Sequence, residues 1–286
     1  MIRPQTGLAR PSPGGRGLLL ALLLGLTLLA APATLAKPGR IVSINLCTDQ
    51  LLLLLADRDR IVSLSFIARD SGLSYMAKAA AGIPVNYGSA EEVLALHPDL
   101  IVAGQSAAGP TTRLLRRLGF QVLELPLAES LGEVARQIRT MARALEEVSR
   151  GERLLRDLEE RLAAVRQRAA AGPHPTAAIY QASGLTIGRH SLADDLLKVA
   201  GLRNLAPELS VPEGGYLPLE LLLQHPPDRL VIDEYRPDLP SLAQQFLRHP
   251  ALRRVERDRR TISLPARLWT CAGPGLAEAA ERLQRP

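Results

Sequence analysis

The chain has 286 residues, of which 47% are hydrophobic and 22% are charged. This balance is that of a folded protein with a large core, because disordered chains are poorer in apolar residues and richer in charge. Only 3% of the residues are aromatic, so Leu, Val, Ile and Ala must fill that core. At about 150 residues per domain, the length predicts two lobes.

The first 36 residues have the pattern of a secretory signal peptide. Three arginines precede a Leu/Ala-rich run from Leu18 to Ala33, and small residues lead up to Ala36. The run is shorter than the roughly 20 apolar residues that span a membrane, so cleavage before Lys37 is favoured over an uncleaved anchor. We therefore expect an exported mature chain.

The charge of the mature chain is mild. The leader holds three arginines and no acid, so its removal lowers the formal net charge from +6 to +3. The other arginines alternate with Glu and Asp along helical patterns, as on a solvated face. No basic run contains interleaved aromatics, which argues against nucleic acid as a partner.

Residues 37–129 alternate between β-rich and helical patterns. Strands are predicted over 39–45, 60–65, 99–103 and 120–125, and helices over 48–56, 70–81, 90–96 and 111–118. Such alternation predicts a mostly parallel sheet with helices on both faces.

Residues 130–171 form the longest helical pattern, with apolar residues at steps of three and four. One unbroken helix of about 42 residues would extend roughly 60 Å. We therefore expect a kink or break between Ser149 and Gly151. The segment is either a domain-packing helix or a stiff connector that fixes a cleft between two lobes.

Residues 172–286 repeat the plan of the first half. Strands are predicted over 176–182, 229–233 and 260–264, and helices over 191–200, 217–224, 239–247 and 275–283. The predicted organisation is a leader (1–36), an N-terminal α/β lobe (37–129), a backbone helix (130–171) and a C-terminal α/β lobe (172–286).

The two cysteines, Cys47 and Cys271, each follow the end of a predicted strand. Export places them where disulfides persist. Two separate buried thiols, a bridge between them, and a soft site for a metal complex are all open. Neither a CxxC spacing nor a histidine partner favours a metal.

An internal repeat connects the halves. EEVLALHPDLIV (91–102) aligns with ELLLQHPPDRLV (220–231), which places Glu91 on Glu220 and a Pro seven residues later in both. Each copy predicts a short helix with a Glu in its first turn, where the helix dipole favours an anion, and a Pro that ends it before a buried strand. Ordinary helix-terminal charge would explain either acid alone, but one in each lobe favours a shared function.

Several stretches resemble the periplasmic binding proteins for iron complexes and cobalamin. They are GRIVSINLCTDQLLLLLADRDRIVSLS, EEVLALHPDLIVAG, the long helix, AGLRNLAPEL and the second helix–Pro–strand unit. The resemblance covers nearly all of the mature chain. It implies an α/β fold of class III, the helical-backbone type, in which two Rossmann-like lobes are joined by a long backbone helix.

The same resemblance implies a monomeric, non-enzymatic periplasmic protein. It would capture a ferric siderophore or related metal complex, or cobalamin or haem by the same mechanism, and deliver it to the permease and ATPase of an ABC importer. The matching Glu of each lobe engages permease arginines, which maps onto Glu91 and Glu220, with Glu92 as a competitor for the first role. We expect no cofactor or metal of the protein's own. Cobalamin binders of the family carry Trp near the positions held here by Val85, Gly104 and Gly214, which argues against cobalamin.

The residues themselves also predict where a ligand binds, because open α/β sheets bind ligands beyond the carboxyl ends of their strands. The candidates are Asn45, Cys47, Thr48, Tyr87, Gln105, Ser106, Ser183, Tyr216, Tyr235, Arg236, Arg267 and Trp269. Four of the nine aromatics are among them, which suggests a large, partly apolar ligand; for each, a place in a local core is the alternative. The arginines suit ligand carboxylates or a plain surface role.

Two other classes of function are open. Ser183 or Ser191, with His190 and Asp194 or Asp195, supply the residue types of an exported hydrolase. The chain lacks a GxSxG elbow, and Ser191 with the two aspartates also fits helix capping. The third class is a periplasmic interaction module that binds no ligand.

Overall fold

Two parallel sheets and a helical hairpin make up the computed structural model, which describes residues 37–105, 109–209, 211, 213–234, 247, 249–252 and 260–285. The predicted leader, and the helix predicted over 239–247 apart from residue 247, lie outside these ranges. No helix in the described ranges is long and apolar enough to cross a membrane.

The N-lobe contains a parallel sheet, as the sequence predicts, but of five strands where four are predicted. Its strands are β1 (Ile41–Ser43), β2 (Ile61–Ser65), β3 (Val85–Asn86), β4 (Leu100–Gly104) and β5 (Val122–Leu125), in the order β3-β2-β1-β4-β5. Its helices are α1 (Leu46–Leu55), α2 (Ala90–Ala95) and α3 (Gly109–Arg117). The helix predicted over 70–81 is wrong: this segment is a series of turns. The Asp70 carboxylate accepts the Gly72 N–H at 2.9 Å, a local bond that competes with helix formation.

The C-lobe contains a second parallel sheet, of four strands. Its strands are β6 (Thr176–Tyr180), β8 (Arg203–Asn204), β10 (Arg229–Glu234) and β11 (Arg260–Pro265), in the order β11-β10-β6-β8. Strands β7 (Leu185–Thr186) and β9 (Gly215–Tyr216) form a separate antiparallel pair. The helices are α6 (Leu192–Val199), α7 (Leu219–Gln224) and α8 (Gly275–Gln284).

The internal repeat is visible in the hydrogen bonds that begin each sheet. In the N-lobe, the Asp99 carboxylate accepts the N–H groups of Gly39 and Arg40 at 3.0 and 2.9 Å. In the C-lobe, Asp228 accepts the Thr176 N–H and hydroxyl, both at 2.8 Å. Each Asp follows the Pro of the repeat and fixes the start of the first strand of its own lobe.

Between the lobes, the long helical pattern forms two helices that pack as a hairpin, α4 (Leu131–Ala144) and α5 (Val148–Ala169). The break lies at Leu145–Glu147, where Glu146 has φ +58°, so the expected position between Ser149 and Gly151 is wrong. Gly151 instead lies inside α5, where an added Cβ would be 2.5 Å from the Cβ of Ala142. Its missing side chain lets the two helices approach closely. Helix α5, with 22 residues, is about 33 Å long at 1.5 Å per residue.

A single apolar core runs through both lobes. It joins Ile41 and Leu52 of the N-lobe to Ile138 of the hairpin, and Ile138 to Ile179 and Leu276 of the C-lobe. On its surface, Arg161 of α5 binds Glu281 of α8 with two nitrogens, each 3.0 Å from a carboxylate oxygen. From Pro38 onward the chain is therefore one compact unit.

Candidate functional site

A cleft lies where the carboxyl ends of the two sheets face the start of the hairpin. A cavity of about 100 Å³ is bounded by Asn45, Gly104 and Gln105 of the N-lobe and by the segment 270–272 of the C-lobe. A larger cavity of about 420 Å³ lies beside it, towards the C-lobe. The two share the lining residues Leu127, Ala128, Leu192 and Thr270. Residues of both lobes therefore contribute to one continuous site.

The N-lobe wall is formed by the first turn of α1. Asn45 caps this helix: its Oδ1 accepts the N–H groups of Cys47 and Thr48 at 2.9 and 3.4 Å. Gly104 of β4 lies against it, and a Cβ at that position would be 2.8 Å from the Asn45 Nδ2. That Nδ2 group makes no hydrogen bond with the described residues, so the cap holds a donor that a ligand can use.

Cys47 and Cys271 form a disulfide, with Cα atoms 5.0 Å apart across 224 positions of sequence. Of the three possibilities that the sequence left open, the bridge is the one found. It ties the start of α1 to the segment before α8, and both cysteines line the smaller cavity. Among the described residues no group of three or more His, Cys, Asp or Glu side chains is arranged to hold a metal ion.

The C-lobe wall is more polar. Gln181 follows β6 and donates its Nε2–H to Asp233 of β10 at 2.7 Å. Arg189 and His190 are exposed and line the mouth of the larger cavity. Trp269, the only Trp in the chain, lines the same cavity and is 7% exposed. This wall therefore offers cationic groups at the rim and an indole further in.

The residues of the hydrolase alternative have structural roles. Ser191 caps α6: its Oγ accepts the Asp194 N–H at 3.1 Å and donates to the Gly188 carbonyl at 2.9 Å. Asp194 is buried and pairs with Lys198 at 2.6 Å. Asp195 accepts the N–H of Leu131 at 3.1 Å, so it caps α4 from the C-lobe. In the described structure, neither aspartate is bonded to His190.

The structure brings together part of the predicted ligand site. Lining the two cavities are Asn45, Cys47, Thr48, Gln105 and Trp269. The residues Tyr87, Ser183, Tyr216 and Arg267 are not among those that line them. The positions Ser106, Tyr235 and Arg236 lie outside the described residues. A ligand role for these residues remains a prediction.

Sequence reasoning missed the loop between β5 and α4. Pro126, Leu127 and Ala128 line the smaller cavity, and Leu127, Ala128 and Glu129 line the larger one. The rule that ligands bind beyond strand ends applies to β5 as it does to β1 and β4, so it could have found this loop. Thr270, which lines both cavities, lies five residues after β11 and follows from the same rule.

The N-lobe copy of the repeated acid makes no hydrogen bond or ion pair within the part of the chain that the structure describes. In α2, the Glu92 carboxylate accepts the N–H groups of Tyr87 and Ser89 at 2.9 and 3.4 Å, while the Ser89 Oγ accepts the Glu92 N–H at 3.2 Å. This reciprocal capping box occupies Glu92 in holding the helix start. Glu91 is exposed and makes no hydrogen bond with the described residues, so it is the better candidate for an external contact.

The C-lobe copy occupies the equivalent place. Glu220 is the second residue of the six-residue helix α7, as Glu91 is of the six-residue α2. Burial, and to a lesser extent the Glu220 charge, raises the pKa of Tyr180 at the end of β6 to about 12. Both helices lead into a parallel strand, so both begin at the edge that forms the cleft.

Known proteins with similar sequences and structures place this architecture in a family. The profile of the family described as "Periplasmic binding protein" matches residues 41–266. A curated "Cobalamin-binding protein" of Halobacterium salinarum is 23% identical over 199 residues, which cover 68% of this chain and 54% of the relative. The chain thus spans about half the length of that relative.

Solved structures agree with the family match over more of the chain. The "Periplasmic heme-binding protein RhuT from Roseiflexus sp. RS-1 in apo form" is 25% identical with a TM-score of 0.72, covering 86% of this chain and 98% of its own. A "Periplasmic Heme Binding Protein from Pseudomonas aeruginosa" is 25% identical with a TM-score of 0.70, covering 86% and 91%. The chain has two lobes built on parallel sheets, a helical connector between them, and a family profile that matches residues 41–266. It therefore belongs to the periplasmic binding protein family.

Proposed function

We propose that the chain is the periplasmic substrate-binding component of an ABC importer, which captures a metal complex in the cleft between its lobes and catalyses no reaction. The observation that carries this proposal is the cleft itself, lined by both lobes at the carboxyl ends of their strands in a member of this family. The curated relative is named for cobalamin binding and the two structural neighbours for heme binding.

The chemistry of the cleft favours a ligand that is partly apolar and carries carboxylates. Leu127 and Trp269 supply apolar surface, while Arg189 and His190 supply cationic or donor groups at the rim. Haem and ferric carboxylate siderophores combine these properties, whereas cobalamin carries amides in place of free carboxylates. We therefore place haem or a ferric siderophore before cobalamin.

Delivery requires contact with the permease, and we assign that contact to Glu91 and Glu220. Both carboxylates lie at the second position of matching helices at the cleft edge, and Glu91 is left free because Glu92 serves the cap. An exposed carboxylate suits a bidentate pair with arginine on a partner. ATP hydrolysis would take place on the importer's ATPase and not on this chain.

Fluorescence of Trp269 tests ligand capture, because this single indole lines the larger cavity. The purified mature chain is titrated with haemin, a ferric carboxylate siderophore and cyanocobalamin, and calorimetry gives the stoichiometry. We expect saturable quenching by one of the first two ligands at one ligand per chain.

Two matched substitutions show whether the cleft is where the ligand binds. Thr270→Phe fills the shared wall of both cavities, and Thr261→Phe adds the same ring at an exposed position near the opposite end of β11. Only Thr270→Phe should weaken binding. Failure of every ligand to bind, or equal losses from the two variants, would refute the proposal.

A further inference from the structure

A third cavity, of about 560 Å³, adjoins the two that form the cleft. The ends of β4 and β5 and the first three turns of α4 line it, beside the edge strand of the N-lobe sheet. It shares Leu125 and Gln137 with the smaller cavity, and Glu129 with the larger one. The space open to a ligand therefore continues beyond the two cavities between the lobes.

Leu127 lies where the three cavities meet, because it lines all of them. It is 65% exposed, more than any other large aliphatic residue among those described. The loop that carries it is held on both sides. Gln137 donates its Nε2–H to the Pro126 carbonyl, and the Glu133 carboxylate accepts the Glu129 N–H at 2.7 Å. Leu127 therefore offers apolar surface, on a fixed loop, to a ligand that passes from one cavity to the next.

The wall of the third cavity offers hydrogen-bond acceptors more than uncompensated charge. Two of its three carboxylates are paired with arginine, Glu124 with Arg116 at 3.2 Å and Glu133 with Arg136 at 3.0 Å. The third carboxylate belongs to Glu129, which is exposed. It makes no hydrogen bond or ion pair with the described residues, so its two oxygens are open to a donor on a ligand.

Gln137 adds a neutral acceptor from the hairpin. It is 7% exposed and lines both the smaller and the third cavity. The orientation of its amide is fixed, because only the Nε2 group can donate to the Pro126 carbonyl. Its Oε1 makes no hydrogen bond with the described residues and keeps contact with open space. Ligand N–H groups therefore suit Gln137 as they suit Glu129.

We propose that the ligand extends past Leu127 into the third cavity, and that it is a ferric carboxylate siderophore with an arm of methylene and amide groups. Its carboxylates lie at the rim with Arg189 and His190, and its methylenes cross Leu127. Its amide N–H groups donate to Gln137 and Glu129. This inference rests on the proposed function and narrows the two ligands placed first there to one.

Size and chemistry favour such a ligand over haem. Small-molecule sites typically measure about 300–1,000 Å³, and the third cavity alone is larger than either cavity of the cleft. A compact ligand held between the lobes would leave it unused. Haem is a rigid macrocycle whose polar substituents are carboxylates, so it has no amide N–H for Gln137 or Glu129. An arm that alternates methylenes with amides matches an apolar residue followed by acceptors.

Calorimetry with two ferric complexes tests the inference. Ferric aerobactin is a citrate–hydroxamate complex with two amide-linked arms, whereas ferric dicitrate supplies citrate carboxylates without an arm. Even one methylene in an apolar site changes affinity about tenfold or more, so the mature chain should bind ferric aerobactin at least about tenfold more tightly. Thr140→Trp, which fills the third cavity from α4, should remove this advantage and leave dicitrate binding unchanged. Thr261→Trp adds the same ring at an exposed position of β11 and should alter neither affinity.

Glu129→Gln is a second variant that should fold like wild type, because no described contact depends on its carboxylate. An exposed charge contributes little to binding, so the affinity for ferric aerobactin should fall about threefold, with dicitrate binding unchanged. Glu160→Gln makes the same change on the exposed side of α5 and should have no effect. If Thr140→Trp does not fold, the comparison of these two variants decides, and equal aerobactin affinities overturn the inference.

Three results would refute the inference and leave the proposed function standing. They are equal affinity of wild type for the two ferric complexes, unchanged aerobactin affinity in a folded Thr140→Trp variant, and binding of haemin alone, each with Thr270→Phe still weakening whatever ligand binds. A wild-type chain that binds none of the ligands would instead refute the proposed function itself.

Discussion

The two acid-bearing helices differ in what supports them and agree in what they expose. In the N-lobe, Ser89 and Glu92 form a capping box around the start of α2. In the C-lobe, Pro218 stands at the N-cap of α7 and makes no side-chain cap bond. The exposed Tyr and Glu nevertheless occupy the same positions in both copies. The two helices are therefore capped in different ways, while their exposed Tyr and Glu occupy equivalent positions.

The first helix of each lobe gives a second comparison. Asp49 is the fourth residue of α1 and Asp195 the fourth residue of α6. Asp49 is fully buried and accepts the Ser65 N–H at 3.0 Å, whereas Asp195 is partly exposed and caps α4. Of these two equivalent aspartates, Asp49 therefore binds a strand inside its own lobe, whereas Asp195 binds the first helix of the hairpin.

Removing the disulfide between the lobes should lower the free energy of unfolding more than any other change considered. Cys47→Ser/Cys271→Ser releases the tie between α1 and the segment before α8, and loss of a native bridge commonly costs about 2–5 kcal/mol. Urea unfolding should show a loss of about 3 kcal/mol in the free energy of unfolding. Dithiothreitol should reproduce it in wild type and add nothing to the double variant; an unchanged midpoint would show that the core alone holds the lobes together.

Gly151→Ala should destabilise the hairpin that both lobes pack against. The added methyl would meet the Cβ of Ala142 at 2.5 Å, and overpacking of this kind costs about 1–3 kcal/mol, more than the roughly 1 kcal/mol that Ala gains over Gly in a helix. Thermal melts should show a lower Tm. At the exposed Gly132 of α4, where the nearest atom would be 3.8 Å away, Gly132→Ala should raise it, and equal shifts in the two variants would contradict the close packing at Gly151.

Asp49→Asn should stabilise the chain above pH 6. Burial raises the pKa of Asp49 from 3.8 to about 6, so the folded state binds this proton more tightly than the unfolded state does. The wild-type free energy of unfolding therefore gains a contribution as pH falls from about 6 towards 3.8 and lacks it at neutral pH. We expect Asp49→Asn to gain about 1–2 kcal/mol at pH 7.5, with the difference from wild type shrinking below pH 5.

The matched substitution in the other lobe should have the opposite sign. Asp195→Asn weakens the cap on α4, and caps of this kind contribute about 0.5–1 kcal/mol. Urea denaturation at pH 7.5 and at a pH below 5 gives the free energy of unfolding of Asp49→Asn and Asp195→Asn side by side. A stabilising effect of both, or of neither, would remove the distinction between the buried and the junction aspartate.

Cap substitutions in α2 and α7 should have small effects of different origin. Ser89→Ala removes a side-chain cap bond and should cost about 1 kcal/mol, whereas Pro218 makes no such bond and Pro218→Ala should cost about 0.5 kcal/mol, through the greater freedom of the unfolded chain. Differential scanning calorimetry compares them. A larger loss at Pro218 would mean that α7 depends on its N-cap more than the hydrogen bonds show.

The sequence predicted those features that depend on local pattern. Alternating apolar strands and helices gave two parallel sheets, and the spacing from Glu to Pro placed Glu91 and Glu220 on matching helices. Features that depend on contacts between distant residues could not be predicted from the local pattern. The local pattern at Gly151 predicts a helix break, because it does not show that Ala142 packs against this glycine. Spacing alone could not pair two cysteines that lie 224 positions apart.

The candidate site divides in the same way. Asn45, Thr48 and Gln105 follow from the rule that ligands bind beyond strand ends, and all three line the smaller cavity. Exposure is a property of the whole surface, so no local pattern showed that Tyr87 and Tyr216 would face solvent while Trp269 would line the cleft. The rule for strand ends and the loops beside them therefore predicts a ligand role for Tyr87, Tyr216 and Trp269 alike.

Ligand uptake into proteoliposomes that contain the permease and its ATPase tests most directly whether the two lobes offer equivalent contacts. Glu91→Ala and Glu220→Ala should each reduce uptake by a similar factor, of about tenfold for a charged interface contact, and the double variant should abolish it with ligand affinity intact. Glu159→Ala/Glu160→Ala, which removes the same charge from the exposed side of α5, should leave uptake unchanged. Uptake that survives the double variant at the wild-type rate, or that depends on one lobe alone, would contradict the account.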